Sequence, residues 1–214
     1  MNKRLLILSS LIASLLFLSA CTGIQTVSPT NQPPVQTASK EAAWKMRNQS
    51  LSRKVAWTLN SKIALRYQAE NWNFSLKWLQ KALNQYQMDI KNPLTGSVVA
   101  RLSKTPQSVS LLSNDGKTYR DTDEERLLQR QSSVNLPLKG MQYWVRGLAS
   151  PTSKIDKLVL DAQGRPIEIQ QAGWKIVYSR YLNNRFDSVP TKAVITRAKD
   201  DVYLKMIAKS WQGV

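Results

Sequence analysis

The sequence predicts a mainly β fold with some α: a curved, incomplete antiparallel β-barrel of about ten or eleven strands, with a lid of about three helices across its opening. Three observations carry this expectation. Apolar and polar residues alternate through a long series of short segments; turn-forming joints connect those segments; and helical spacing appears in only two places, ahead of the series and in its middle.

Before the first element lies an export signal. Lys3 and Arg4 are followed by an apolar run from Leu5 to Phe17, which ends in Leu18-Ser19-Ala20-Cys21. The run is shorter than the roughly 20 residues a permanent membrane helix needs, so residues 1–20 are read as a cleaved signal peptide with a lipobox. The plain alternative is an ordinary signal peptide with Cys21 a bystander. Against it, Cys21 directly follows Leu-Ser-Ala and is the sole cysteine in the chain. On the lipobox reading its thiol carries a diacylglyceryl group, its amine a further acyl chain such as palmitate, and it has no disulfide partner. Residues 21–38, rich in Pro, Ser, Thr and Gln, form a lipidated N-terminus and linker, leaving 39–214 as one folded domain.

Ser39 is placed to cap a first helix, in which Trp44, Asn48, Leu51 and Val55 recur on one face. Period-two strands follow: Leu59 to Tyr67, Trp72 to Trp78, Tyr86 to Ile90, Val98 to Leu102, and Val109 with Leu111. Gln68 to Asn71 and Asn114-Asp115-Gly116 read as hairpin joints. The meander then breaks at Asp121 to Ser133, whose acidic first turn precedes Leu127-Leu128, and at Leu138, Met141, Trp144, Val145 and Leu148, which keep a helical spacing. Strands resume at Lys157 to Leu160, Pro166 to Gln170, Trp174 to Arg180, Lys192 to Arg197 and Val202 to Trp211.

The formal charge is +17, of which the signal carries two, so the mature chain keeps about +15. That balance favours anionic partners. An exported, lipid-anchored protein meets anionic headgroups or polyanions sooner than nucleic acid, and no nucleic-acid partner is expected. The opposing reading is a merely solvated coat, because the cations are spread along the chain. The absence of histidine and the single cysteine remove the commonest general base, the usual nucleophile and the main transition-metal ligands. Asp121, Asp123, Glu124 and Glu125 lack the glycine-punctuated loop of a Ca²⁺ site, and Gly116-Lys117 lies in a hairpin turn and not in a phosphate loop. A Ser/Lys hydrolase leaves no local spacing to find. The chain is therefore expected to be no enzyme and to need no cofactor or metal.

The strands carry an unusual supply of large apolar side chains, including Trp57, Trp72, Trp78, Trp174 and Trp211. These either fill the interior or leave a ligand-sized cavity, and sequence does not choose between the two. In Asn92-Pro93-Leu94-Thr95-Gly96-Ser97, polar turn residues surround one apolar residue that has no turn duty. Leu94 either folds back onto its sheet or projects as an apolar probe.

The lipobox, the Asn92-Pro93-Leu94 loop, Leu136-Pro137-Leu138 followed by Tyr143-Trp144-Val145-Arg146-Gly147-Leu148, then Gly173-Trp174-Lys175-Ile176-Val177-Tyr178 and Leu204-Lys205-Met206 before Trp211 together resemble the LolB family of outer-membrane lipoprotein receptors. The resemblance spans roughly Trp44 to Trp211. It implies a half-open barrel with a helical lid and an apolar cavity, in a monomer that accepts acylated lipoproteins from the periplasmic carrier LolA and inserts them into outer-membrane lipid, facing the periplasm. In the family an exposed loop leucine assists insertion, and it matches Leu94. With the strand alternation of this chain, candidates for the implied cavity wall are Leu65, Phe74, Leu76, Trp78, Met88, Ile90, Trp144, Trp174 and Ile176. The chain departs from the pattern at Ser61 and Ser133, where the family usually has glycine, and at Thr95, an added residue between Leu94 and Gly96 that alters the turn. Thr22 is not the aspartate that retains lipoproteins in the inner membrane. The alternative function is a structural or assembly envelope lipoprotein that binds anionic polymers or proteins through its basic surface.

Overall fold

The structure, a computed structural model, describes residues 35–132 and 134–214, with side chains from Lys40 onward. Cys21, Ser133 and almost all of the expected linker lie outside the described residues. Helix α1 runs Val35–Ser52, beginning four residues ahead of the expected cap at Ser39. Ser39 therefore lies inside the helix and not at its cap. Val55 is also displaced: it lies beyond the helix and is half exposed. The inward face of α1 instead comprises Trp44, Arg47, Asn48 and Leu51, with Arg47 fully buried.

Eleven strands follow in a single antiparallel sheet: β1 (Trp57–Tyr67), β2 (Glu70–Ala82), β3 (Gln85–Lys91), β4 (Val98–Lys104), β5 (Val109–Ser113), β6 (Thr118–Asp121), β7 (Ile155–Leu160), β8 (Pro166–Gln171), β9 (Trp174–Tyr181), β10 (Pro190–Arg197) and β11 (Val202–Gln212). Their spatial order is β6-β5-β4-β3-β2-β1-β11-β10-β9-β8-β7. Two uninterrupted meanders are thus joined where the last strand pairs with the first, Leu59 opposite Trp211 and Leu65 opposite Leu204. β6 and β7 remain as free edges, so the expected incomplete barrel is an open sheet. β6 is the strand that periodicity does not announce, because Thr-Tyr-Arg-Asp offers one apolar residue. It exists because it pairs with β5, Leu111 opposite Tyr119.

The chain crosses between the meanders through α2 (Glu124–Ser132) and α3 (Leu138–Trp144). α3 stops short of Val145 and Leu148, since Gly147 takes a φ of +70° that ends helical geometry. Both residues remain buried beyond the helix. One face of the sheet points at the helices, and its aromatics are concentrated: Trp57 lies 5.2 Å from Trp78, and Trp144 of α3 lies 6.1 Å from Trp174. Their indole N–H groups are satisfied inside, Trp78 donating to Gln80 and Trp144 to Gln171, each at 2.9 Å.

Two buried arginines bind the layers together. Arg47 donates to the carbonyls of Gly147, Phe186, Ser188 and Arg146 at 2.6–3.0 Å. Arg146 donates to those of Leu51 and Lys54, with its guanidinium 5.5 Å from the Trp57 ring. Burial lowers the Arg146 pKa to about 10, with the neighbouring Tyr143 opposing that shift. Carbonyl acceptors satisfy these cations where no carboxylate is supplied.

Candidate functional site: an apolar cavity and its exposed loop

The inward face is packed at one end and open at the other. Between β1–β5 and the segment from α2 to α3 lies a cavity of about 710 Å³. Leu65, Leu76, Met88, Leu102 and Leu111 form its sheet side, while Leu128, Val134, Leu136, Leu138 and Met141 close it from the helices. The exposed Asn114, Asp115, Gln131 and Ser132 mark where it meets solvent. Of the residues expected on the wall, Leu65, Phe74, Leu76, Met88 and Ile90 line this space. Trp78, Trp144, Trp174 and Ile176 do not; they are packed in the core, at 0–3% exposure. The physical difference is position along the sheet. Trp144 packs on Trp174 and fills the gap between sheet and α3, whereas toward the mouth Ala100 and a wall that is aliphatic apart from Trp72, Phe74 and Tyr119 leave the gap unfilled.

Sequence reasoning passed over Ala100, Leu102, Leu111 and Leu204 as lining residues, although it placed all four on strands. The missing signal was depth: alternation says which face a residue occupies, but not how far along the sheet the filling stops. Leu138 and Met141 were likewise assigned to a helix with no indication that it roofs a void.

α2 is held over the wall by its acidic residues. Glu124 reaches Lys104 of β4 at 3.0 Å, both largely buried, and Asp123 meets Lys139 of α3 at 2.6 Å. Asp121 is clasped by Arg126 and Arg130. The Arg126 hydrogen bond, then the backbone N–H of Asp123, hold the Asp121 carboxyl well below the usual carboxylate range. Asp121, Asp123 and Glu124 thus serve ion pairs while Glu125 accepts from the backbone N–H of Lys139 at 3.2 Å, and among the described residues no group of three His, Cys, Asp or Glu side chains converges on one point. At the mouth, hydrogen bonds from Ser113 and Lys117 hold Asp115 at about 2, so it is charged at neutral pH.

The Leu94 loop joins two strands of the cavity wall, with Ile90 before it and Val99 after it. Asn92 builds the turn: its side-chain oxygen accepts from the backbone N–H of Leu94 at 2.9 Å and of Thr95 at 3.1 Å, an Asx-type closure. Its carbonyl accepts from Gly96, which adopts a φ of +74° with open space around it. The added Thr95 is absorbed by a hydroxyl contact to Ser97 at 2.8 Å. Leu94 does not fold back; it is 93% exposed, against 36–55% for the other exposed large apolar residues.

An open antiparallel sheet, an apolar cavity roofed by short helices and a projecting leucine at its edge define a protein of the open-sheet, helix-roofed class. The profile of the family "Outer membrane lipoprotein LolB" matches residues 55–211. The outer-membrane lipoprotein LolB of Ectopseudomonas mendocina is 30% identical over 98% of this chain and 96% of its own length, and that of Pseudomonas savastanoi pv. phaseolicola is 33% identical over 99% and 97%. A LolA superfamily protein from Nitrosomonas europaea aligns with 77% of this chain and 92% of its own at 10% identity and a TM-score of 0.46. The chain belongs to the LolB family, outer-membrane lipoproteins that serve as lipoprotein-localisation factors.

Proposed function

We propose that this chain is an outer-membrane-anchored receptor that takes acylated lipoproteins from a soluble LolA-type carrier into its apolar cavity and inserts them into the outer membrane. The observation that carries the reading is the cavity of about 710 Å³ with its apolar wall. Each methylene kept from water is worth about 0.8 kcal/mol, so exposing a palmitoyl-length chain costs on the order of 12 kcal/mol. A triacylated protein therefore crosses an aqueous compartment only inside a receptacle. A receptor that holds the chains better than the carrier, and less well than a bilayer, makes each transfer downhill without nucleotide hydrolysis.

Within this scheme Cys21 carries the lipid that tethers the receptor, facing the periplasm, and the domain works as a monomer. Leu94 is the side chain that enters the bilayer during release. Its exposure supports this role, because an apolar residue held out by a hydrogen-bonded turn gains nothing from the fold. The cavity favours the receptor over a structural envelope lipoprotein, for which an unfilled interior serves no purpose.

The test is to fill the space. Ala100→Trp, on the wall, should leave the sheet folded while lowering the amount of acylated lipoprotein taken from a loaded carrier by at least tenfold. Undiminished uptake by a folded Ala100→Trp protein would reject the cavity as the acyl site.

A further inference from the structure

The cations that look scattered in the sequence are gathered by the strand order. The four adjacent strands β9, β10, β11 and β1 contain eight lysines and arginines and no aspartate or glutamate. On the outward face, away from the cavity, the register aligns one row across six strands: Arg180 opposite Lys192, Lys192 opposite Ile207, Ile207 opposite Lys62, Lys62 opposite Ser75, and Ser75 opposite Lys91. At about 4.8 Å per strand the row is about 24 Å long. Lys77 and Lys205 flank it in the neighbouring rows. Among the described residues none of Lys62, Lys77, Lys91, Arg180, Lys192 or Lys205 forms an ion pair. The acid within this area, Asp89, accepts from Arg101 at 2.6 Å and is nearly buried beneath it.

We infer that this outward face lies against an anionic, phosphate-bearing lipid surface. Like charges set at strand spacing repel one another, so the row costs stability unless an external anion neutralises it. The composition selects a lipid surface over an acidic protein. Lysine is depleted from protein interfaces, which are built around a desolvated apolar and aromatic centre, and here the row offers a single half-exposed Ile207. Flexible, strongly hydrated ammonium groups spread over a broad surface suit a layer of mobile headgroups, where each adds to the attraction. The row also ends at the base of the membrane-facing loop: Lys91 is the last residue of β3, and Asn92 opens the turn that presents Leu94. Cationic face and apolar tip therefore adjoin, the pairing that interfacial segments use. The inference rests on the membrane-anchored reading above, and it adds an orientation: the sheet's outward face turned to the lipid, with the helices of the lid on the far side.

Amine labelling read by mass spectrometry tests this on the processed, lipid-anchored chain in vesicles. On vesicles of phosphatidylcholine and phosphatidylglycerol in equal parts, labelling of Lys62, Lys77 and Lys192 should fall by roughly fivefold relative to phosphatidylcholine alone. It should recover in high salt, while Lys45 on α1 and Lys154 before β7 stay unchanged. In Lys62→Glu/Lys77→Glu/Lys192→Glu, the protection of Lys205 should be lost although the chain stays with the vesicles through its anchor. Equal labelling on both vesicle types overturns the inference, as does protection that appears only when an acidic carrier protein is added. The two readings fail separately: a chain absent from neutral vesicles refutes the anchor, and the face must then still bring it to anionic vesicles or be rejected as well.

Discussion

Leu94→Glu is the perturbation that separates the fold of this protein from its proposed action. Leu94 is 93% exposed, so nearly all of the transfer free energy of its side chain is unused in the folded protein. Full burial of a leucine is worth about 1.5–3 kcal/mol. Taking about 2 kcal/mol, the side chain shifts the equilibrium between a docked and an inserted tip by roughly thirtyfold. Glutamate removes that gain and adds the cost of desolvating a charge. The turn itself should persist, because Asn92 binds the backbone N–H groups of residues 94 and 95, which the substitution leaves in place. Thermal unfolding should therefore move by no more than about 0.5 kcal/mol, the range of surface substitutions. The assay has two stages: capture of an acylated lipoprotein from a loaded carrier, then its appearance in sedimented vesicles. Capture should be unchanged and delivery should fall by at least tenfold. Delivery at the wild-type rate would remove Leu94 from the mechanism, and a large loss of stability would show that it packs somewhere the structure does not place it.

Three further outcomes follow from the buried contacts. Arg47→Met should cost at least about 3 kcal/mol in urea unfolding, since it strands four carbonyl acceptors, most of them buried, and a cost below 1 kcal/mol would contradict the clamp. Gly164→Ala should destabilise by about 2–4 kcal/mol: its φ is +71°, and an added Cβ would stand 2.7 Å from the Lys40 carbonyl and 2.8 Å from the Trp44 nitrogen of α1, backbone that cannot swing aside. Asp121 supplies the pH dependence. Its folded pKa lies below the unfolded value of about 3.9, so its contribution is present above that pH and is lost as pH falls through it toward the folded value. Amide exchange in α2 should quicken on acidification in that window, and Asp121→Asn should flatten the dependence while already weakening protection at neutral pH.

Fold class was legible because antiparallel alternation is a local signal, and residues such as Leu59, Ile63 and Leu65 each report their own face without reference to partners. The joining of the two meanders was not legible. The pairing of β1 with β11 joins Leu65 to Leu204, and no local pattern records so distant a partner. The same gap hid the cationic face, since Lys62, Lys192 and Lys205 are isolated in the chain and become neighbours through register alone. Arg47 was invisible for a different reason: a charged residue on a helix reads as solvated unless its acceptors are known, and here the acceptors are backbone carbonyls 99 to 141 residues away. Leu94 was legible as an oddity because the residues around it satisfy the turn without it.

The division of the inward face into a filled and an unfilled half explains how one domain can be both stable and receptive. In the filled half, Gln171 accepts from Trp144 and from the Ser150 N–H while donating to the carbonyls of Ser150 and Ser153, so α3 is fixed by a fully satisfied buried network. Such a network resists displacement because any shift strands several polar groups at once. In the unfilled half, α2 rests on β5 and β6 and is tied by the buried Glu124–Lys104 pair and by the pairs of Arg126 and Arg130 with Asp121, whose cationic ends reach solvent. Exposed pairs are worth at most about 1 kcal/mol each and reform easily after movement. The roof is therefore held by unlike contacts, a buried hydrogen-bond network at α3 and a mixture of buried and exposed ion pairs at α2, beside the mouth at Gln131 and Ser132. On the function proposed above, an acyl chain entering there would meet an apolar wall that already lacks packing partners, so occupancy would add contacts to the fold without displacing any.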